Sequence, residues 1–203
     1  MPPSLFSVQL SHAFFDELDK IAAAKPPTPR IAIVSSSTEK DSKSRALALA
    51  YKKEVELAGG LVDFIDLKDV KVPLYGQGST KKIDPHVARF NKADAWVIAS
   101  PIHNWGPAAH TTNFLTHALD SGGGTYKPFV LLAGAGSPRA HLALSGLAQA
   151  ISTEVNGVHV GAPIVSSEAN GGGTGDRIKN SAQALVRVTH ATLHLSQRGA
   201  RIS

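Results

Sequence analysis

Hydroxyl side chains and cations are concentrated just after the first strongly apolar stretch of the sequence, Arg30 to Ser35. Hydroxyls and backbone N–H groups at the start of a helix bind phosphate oxygens, and the helix dipole strengthens the attraction. A serine N-cap beside an ordinary polar loop has the same composition, so both interpretations stand. The candidate phosphate ligands are Ser36, Thr38, Ser42, Lys43, Ser44 and Arg45.

A second group of candidate residues follows the apolar stretch Asp94 to Ser100. A flat heterocycle would lie against the aromatic side chains of this segment, while amide groups bond its polar edge. A proline-stiffened turn with a packed tryptophan is the alternative interpretation. The candidate residues are Pro101, Ile102, His103, Asn104 and Trp105.

A third candidate segment follows the apolar stretch Lys127 to Ala133 and contains Gly134, Gly136 and Ser137. Glycine lets a ligand approach the backbone closely. The segment resembles part of a Gly-x-Gly-x-x-Gly fingerprint, but Arg139 stands in place of the third glycine and the segment follows the fourth predicted strand. It is therefore a weak indication of a dinucleotide site.

The elements that must position these residues alternate between short apolar stretches and helical patterns. Five strands separated by helices predict a doubly wound parallel sheet with helices on both faces. Ligands of such a sheet bind beyond the carboxyl ends of its strands, so the three polar segments are expected to converge there. The predicted strands are 30–35, 61–66, 94–100, 127–133 and 158–162, and the predicted helices are 42–58, 84 onward, 108–120, 139–152 and 177–197.

Residues 1–29 are expected to form an extension ahead of a single domain at 30–203. Leu10, Phe14, Leu18 and Ile21 recur at helical spacing, which predicts one amphipathic helix that the following prolines end. This helix either docks on its own domain or is exchanged between the subunits of a dimer.

The composition limits the possible functions. The chain has 203 residues, of which 42% are hydrophobic, and this is enough for one α/β domain with a sizeable core. The lack of cysteine excludes disulfides, thiolate metal sites and a cysteine nucleophile. With no secretory signal and no apolar stretch of about 18 residues, a cytoplasmic protein without membrane association is expected. The net charge is +5, but the lysines and arginines are scattered, so no nucleic-acid partner is expected.

Other catalytic patterns are missing from the sequence. It contains neither the Gly-Lys-Ser/Thr of a phosphate-binding loop nor a Gly-x-Ser-x-Gly elbow, and no side chain is expected to act as a nucleophile. His190 and His194 lie four residues apart, which is the spacing of a metal-binding pair. Without a third ligand nearby, an exposed helix face is the preferred interpretation, and no metal is expected.

Taken in order, the motifs resemble those of the NADPH-dependent FMN reductase family over about residues 30 to 195. The family's phosphate loop, Gly-Ser-x-Arg followed by Ser-x-Asn-Arg, corresponds to Ser35-Ser36-Ser37-Thr38 and Ser42-Lys43-Ser44-Arg45. Its Pro-Glu-Tyr-Asn motif corresponds to Pro101-Ile102-His103-Asn104, ahead of a helix that ends His117-Ala118-Leu119-Asp120. The loop Pro73-Leu74-Tyr75 also resembles the family's.

This resemblance implies a flavodoxin-like fold with strand order 2-1-3-4-5 and an FMN cofactor. It implies that Ser36, Thr38, Ser42 and Ser44 bind the phosphate. It places residues 101–105 around the isoalloxazine and ribityl groups, with residues 134–137 near the ring edge. Because Thr38 replaces the family's arginine, Lys40 and Lys43 are the candidates to supply the missing charge.

The same resemblance implies a reductase that takes electrons from NADPH or NADH and passes them, through FMN, to a small-molecule acceptor such as a quinone or free flavin. It also implies a homodimer or homotetramer whose helices complete the pocket. Two alternatives remain open, namely a flavodoxin-type electron carrier without enzymatic activity and a binding module that has lost the flavin.

Overall fold

A parallel β-sheet forms the centre of the protein. The structure is a computed structural model that describes residues 27–122, 124–167 and 174–197, so the helix expected within residues 1–29 lies outside the described residues. The strands are β1 (Arg30–Ser35), β2 (Leu61–Asp66), β3 (Ala95–His103), β4 (Gly106–Pro107), β5 (Pro128–Gly134), β6 (Val158–His159) and β7 (Ile164–Ser166). The helices are α1 (Lys43–Leu57), α2 (Asp84–Lys92), α3 (Ala109–Asp120), α4 (Ser145–Glu154) and α5 (Thr174–Gln197), with a 3-10 helix at Pro138–Leu144.

The strand order confirms the predicted topology. The sheet runs β2-β1-β3-β5-β6, and these neighbours pair in parallel. The fifth position of the sheet is shared by two short strands, because β6 pairs with the start of β5 and β7 pairs with its end. Gly161, with φ of 75°, and Pro163 separate the two strands, since proline has no N–H to donate to a ladder.

Alternating side chains of each strand fill two separate cores. Along β1, Ile31 and Ile33 point to the face covered by α1 and α5, whereas Ala32 and Val34 point to the face covered by α2, α3 and α4. The same alternation continues along β3 and β5. Because both faces are covered by helices, these strands are apolar at nearly every position, which is why the sequence marks them as buried.

Three elements differ from the sequence prediction. The fifth strand, expected at 158–162, is instead the pair β6 (Val158–His159) and β7 (Ile164–Ser166). The third predicted strand was expected to end at Ser100 and to leave residues 101–107 as a loop, but β3 continues to His103 and then turns back as β4. The helix expected from Arg139 begins instead as the 3-10 helix, which Ser137 caps by accepting a hydrogen bond from the Arg139 N–H. Pro138 in its first turn suits this start, since proline donates no hydrogen bond there.

His159 on β6 makes the stability of the folded protein depend on pH. Its ring stacks on Phe129 with centroids 4.8 Å apart, and its Nε2 is buried without a hydrogen-bond partner among the described residues. Burial lowers the pKa of His159 from its usual value. The unfolded chain therefore binds this proton more readily, so stability is lost as the pH falls below about 6.5.

We expect His159→Phe to reduce this acid sensitivity, because phenylalanine keeps the stacked ring and removes the titrating group. Urea unfolding of both proteins, at neutral pH and at a pH about one unit below the usual histidine pKa, measures the difference. The wild type should lose more stability on acidification than the variant. Equal losses would show that His159 does not contribute to the pH dependence.

Candidate functional site

The three polar segments of the sequence lie side by side at the carboxyl edge of the sheet. The Ser36 N–H donates to the Ala99 carbonyl over 3.2 Å, so the loop after β1 begins against β3. Pro101 of β3 is paired in register with Gly134 at the end of β5. The β4 strand also contacts the 3-10 helix that follows β5. The fold therefore brings these segments together, although they are far apart along the chain.

Most of the predicted phosphate-binding hydroxyls point into the protein. Ser36 is buried, and its hydroxyl donates to the Ala99 carbonyl over 2.9 Å. Ser42 caps α1 by accepting from the Arg45 N–H, and its hydroxyl lies 2.9 Å from that of Ser44. The hydroxyls of these three serines therefore hold the loop and the start of α1 in place.

Donors that remain available in this loop come mainly from the backbone. The N–H groups of Thr38, Asp41 and Ser44 have no acceptor among the residues that the structure describes, and the exposed Thr38 hydroxyl has no partner there either. The first turn of α1 carries no acidic side chain. Free N–H groups at a helix N-terminus without an opposing carboxylate suit a phosphate group. Arg45 is directed elsewhere, since its Nε donates to Asp66 Oδ2 over 2.7 Å.

Beyond β3, the second segment is a tight hairpin rather than an irregular loop. His103 pairs with Gly106, which leaves Asn104 and Trp105 as a two-residue turn with φ of 49° and 62°. Both values lie in the left-handed region that favours glycine and are typical of hairpin turns of the primed types. The turn displays the Trp105 ring, which is 64% exposed, next to the exposed His103 and Asn104 side chains. The hairpin thus presents an aromatic surface and amide groups to a ligand.

The glycine segment after β5 meets the start of α1. A Cβ added to Gly134 would lie 2.4 Å from the Ser44 nitrogen, so the two backbones touch. A Cβ on Gly136 would meet no atom within 4 Å, so Gly136 borders open space. Within the described part of the chain, the N–H groups of Gly136 and Ser137 have no acceptor. This segment therefore combines one glycine required by packing with two free donors at the edge of the site.

Sequence reasoning missed Ser100 and Thr111, which connect the first two segments. The Thr111 hydroxyl lies 2.6 Å from that of Ser36 and 2.7 Å from that of Ser100. All three residues are almost completely buried. A buried threonine in the first turn of α3, on the side that packs against the sheet, is a signal that the sequence does contain, because apolar residues normally occupy such positions.

A third missed residue, Asn113, attaches the loop after β2 to α3. Its Oδ1 accepts from the Tyr75 N–H over 3.0 Å, and its Nδ2 donates to the Pro73 carbonyl. His117 Nε2 lies 2.9 Å from the same carbonyl, and its ring meets Tyr75 edge-on at 5.2 Å. The loop containing Pro73 and Tyr75 is therefore fastened to α3.

The remaining histidines do not form a metal site in the described residues. His194 is buried and His190 is half-buried, so the exposed helix face expected for this pair is wrong. Across residues 27–122, 124–167 and 174–197, no three histidine, aspartate or glutamate side chains are placed to hold a metal ion. Within the same ranges, no helix has the length and hydropathy needed to span a membrane.

The sequence pattern of the NADPH-dependent FMN reductase family matches residues 29–171, and the chain belongs to this family. No curated protein matches it by sequence. An oxidoreductase structure from Corynebacterium diphtheriae is 20% identical, with a TM-score of 0.65, covering 83% of this chain and 98% of that one. The apo form of an NADH:FMN oxidoreductase is also 20% identical, with a TM-score of 0.60 and coverage of 83% and 90%. An archaeal flavodoxin is 14% identical, with a TM-score of 0.55 and coverage of 79% and 97%. The fold is therefore flavodoxin-like, as predicted.

The contact between Gly134 and Ser44 yields a test of how the site is assembled. Gly134→Ala places a methyl group against the backbone of α1, and overpacking of this kind costs about 2 kcal/mol. We expect a loss of this size in the free energy of unfolding, measured with urea.

Gly136→Ala is the matched control, because its added methyl group points into open space. It should leave stability unchanged. Similar losses in both variants, or none in Gly134→Ala, would contradict the close approach of β5 and α1.

Proposed function

We propose that this family member is an FMN-dependent oxidoreductase that transfers electrons from NADPH or NADH to a small flat acceptor such as a quinone or free flavin. The observation that carries the proposal is the convergence of free backbone donors, an exposed aromatic hairpin and a glycine edge at one end of the sheet. The phosphate and the ring of FMN each have a counterpart among these features.

The loop after β1 would hold the phosphate of FMN. The exposed residues Thr38 and Asp41 carry free N–H groups in the loop just ahead of α1, whose dipole is positive at this end, whereas Ser44 is buried. The Thr38 hydroxyl is the side-chain donor best placed to join them, because those of Ser36, Ser42 and Ser44 already have partners. The buried serines would then support the phosphate site rather than bind the phosphate directly.

The hairpin and the glycine segment would hold the isoalloxazine ring. The exposed Trp105 ring and the Asn104 amide have no hydrogen-bond partner in the described chain, so both are available to a ligand. The N–H groups of Gly136 and Ser137 can donate to the polar edge of the ring. The open space beside Gly136 leaves room for a planar group to approach the backbone.

When bound, FMN would supply the redox chemistry between the nicotinamide and the acceptor, and a ping-pong order is part of the proposal. The protein contributes position and electrostatics. The rigid hairpin fixes the face on which donor and acceptor stack, and His103 beside it is available to steer an acceptor. The fastened loop at Pro73 and Tyr75 keeps the neighbouring surface of α3 in one conformation.

Oligomerisation through helices beside the flavin is part of the proposal. A groove of about 540 Å³ runs between α3 and α4, and the exposed Tyr75 side chain stands at its edge. We propose that this surface packs against a second subunit in a homodimer or homotetramer.

FMN titration monitored by quenching of its fluorescence tests the cofactor assignment. Asn104→Ala removes one hydrogen-bonding group and should weaken FMN binding by about fivefold to tenfold. Asn180→Ala, at an exposed position on α5, is the matched control and should bind FMN like the wild type. Equal affinities in all three proteins would show that the hairpin does not contact the cofactor.

The same preparation separates an enzyme from an electron carrier. Loaded with FMN, the wild type should oxidise NADPH or NADH when a naphthoquinone is supplied as acceptor. FMN binding without any oxidation of either nicotinamide would support a flavodoxin-type carrier. No binding of FMN at all would support a module that has lost the flavin, and either result would overturn the proposed enzyme.

Thr38→Arg tests whether the family's arginine position still faces the phosphate. An added guanidinium forms a charge-assisted, bidentate contact and should tighten FMN binding about tenfold. Riboflavin lacks the phosphate, so its affinity should not change. Asn180→Arg adds the same charge at an exposed position on α5 and should affect neither flavin. A parallel gain for riboflavin in Thr38→Arg would contradict the placement of the phosphate.

A further inference from the structure

Three buried hydroxyls form a chain between the two halves of the proposed flavin site. Thr111 occupies the middle, 2.6 Å from the Ser36 hydroxyl and 2.7 Å from that of Ser100. Ser36 begins the loop after β1, whereas Ser100 immediately precedes the hairpin that starts at Pro101. Thr111 itself belongs to α3 and is 1% exposed, so solvent does not compete for its hydrogen bonds.

The hydroxyl protons can be arranged in two directions along this chain. In one direction Ser100 donates to Thr111, Thr111 donates to Ser36, and Ser36 donates to the Ala99 carbonyl 2.9 Å away. In the other direction Ser36 donates to Thr111, Thr111 donates to Ser100, and Ser100 donates to the Pro101 carbonyl 2.9 Å away. Either direction supplies a proton to both short contacts, because a hydroxyl has one proton and two acceptor lone pairs.

The carbonyls at both ends of the chain also accept a backbone N–H group. The Ala99 carbonyl accepts from the Ser36 N–H over 3.2 Å, and the Pro101 carbonyl accepts from the Ala108 N–H over 3.0 Å. Neither carbonyl is therefore left without a donor in either direction. Successive hydrogen bonds of one direction polarise and strengthen one another in a low-dielectric interior.

We infer that Thr111 is a positioning residue that sets the distance between the phosphate loop and the ring-binding hairpin. The inference rests on the proposed function, since it assumes that FMN occupies both segments. FMN reaches from one segment to the other, whereas riboflavin, which lacks the phosphate, depends on the hairpin and the glycine segment. The Thr111 hydroxyl therefore raises the affinity for FMN relative to that for riboflavin, although it contacts neither molecule.

Thr111→Val removes the hydroxyl while keeping the shape of the side chain, and Thr111→Ser retains the hydroxyl. We expect Thr111→Val to weaken FMN binding about tenfold with little change for riboflavin, and Thr111→Ser to restore FMN affinity. Thr189→Val is the matched control, because Thr189 is also fully buried but donates to the Leu185 carbonyl within α5. It should reduce stability without changing the ratio of the two affinities.

The positioning role of Thr111 is tested by fluorescence titration of each variant with FMN and with riboflavin. Urea unfolding of the flavin-free proteins measures their stability in parallel. An unchanged FMN affinity in Thr111→Val, or equal losses for FMN and riboflavin, would overturn the positioning role while leaving the proposed function intact. A wild type that binds neither flavin would overturn the proposed function and this inference together.

Discussion

The candidate site depends on the contact between the end of β5 and the start of α1. No side chain fits between the two backbones, because a Cβ on Gly134 would lie 2.4 Å from the Ser44 nitrogen. The start of α1 is therefore held directly beside the last residue of β5. Since Gly134 is paired with Pro101, the same contact also fixes the hairpin relative to α1. All three polar segments take their positions from this one approach of backbone to backbone.

The sheet was predictable from sequence because burial on both faces leaves long apolar runs. β1 and β2 have the expected bounds for this reason. The end of β3 was missed, since a proline and a histidine after Ser100 are typical of a loop. Only pairing with β4 keeps these residues in a strand, and the turn between the two strands has no glycine to reveal it. The division of the fifth strand into β6 and β7 also depends on long-range pairing, because β6 pairs with the start of β5 and β7 pairs with its end.

The composition of the site was predictable, but the orientation of its side chains was not. A serine in a polar loop can turn towards a ligand or towards the protein, and the loop sequence is the same in both cases. The Ser36 side chain points into the protein because its hydroxyl is hydrogen-bonded to the Ala99 carbonyl, 63 residues further along the chain, and to the Thr111 hydroxyl. Long-range partners of this kind leave no local pattern, whereas the cap at Ser42 is a short-range contact and was recognisable as an alternative.

These orientations bear on how the chain can do without the family's arginine at position 38. Backbone N–H groups donate to a phosphate whatever side chains the loop carries, provided that the loop keeps its shape. In this protein the shape is held by hydroxyls that face inward, namely Ser36 bonded to Ala99 and Thr111, and Ser42 with Ser44. A side-chain cation at position 38 adds affinity to a cradle of this kind, whereas the buried hydroxyls determine whether the cradle exists. The geometry of the proposed phosphate site therefore depends on the buried hydroxyls of the loop rather than on its exposed charges.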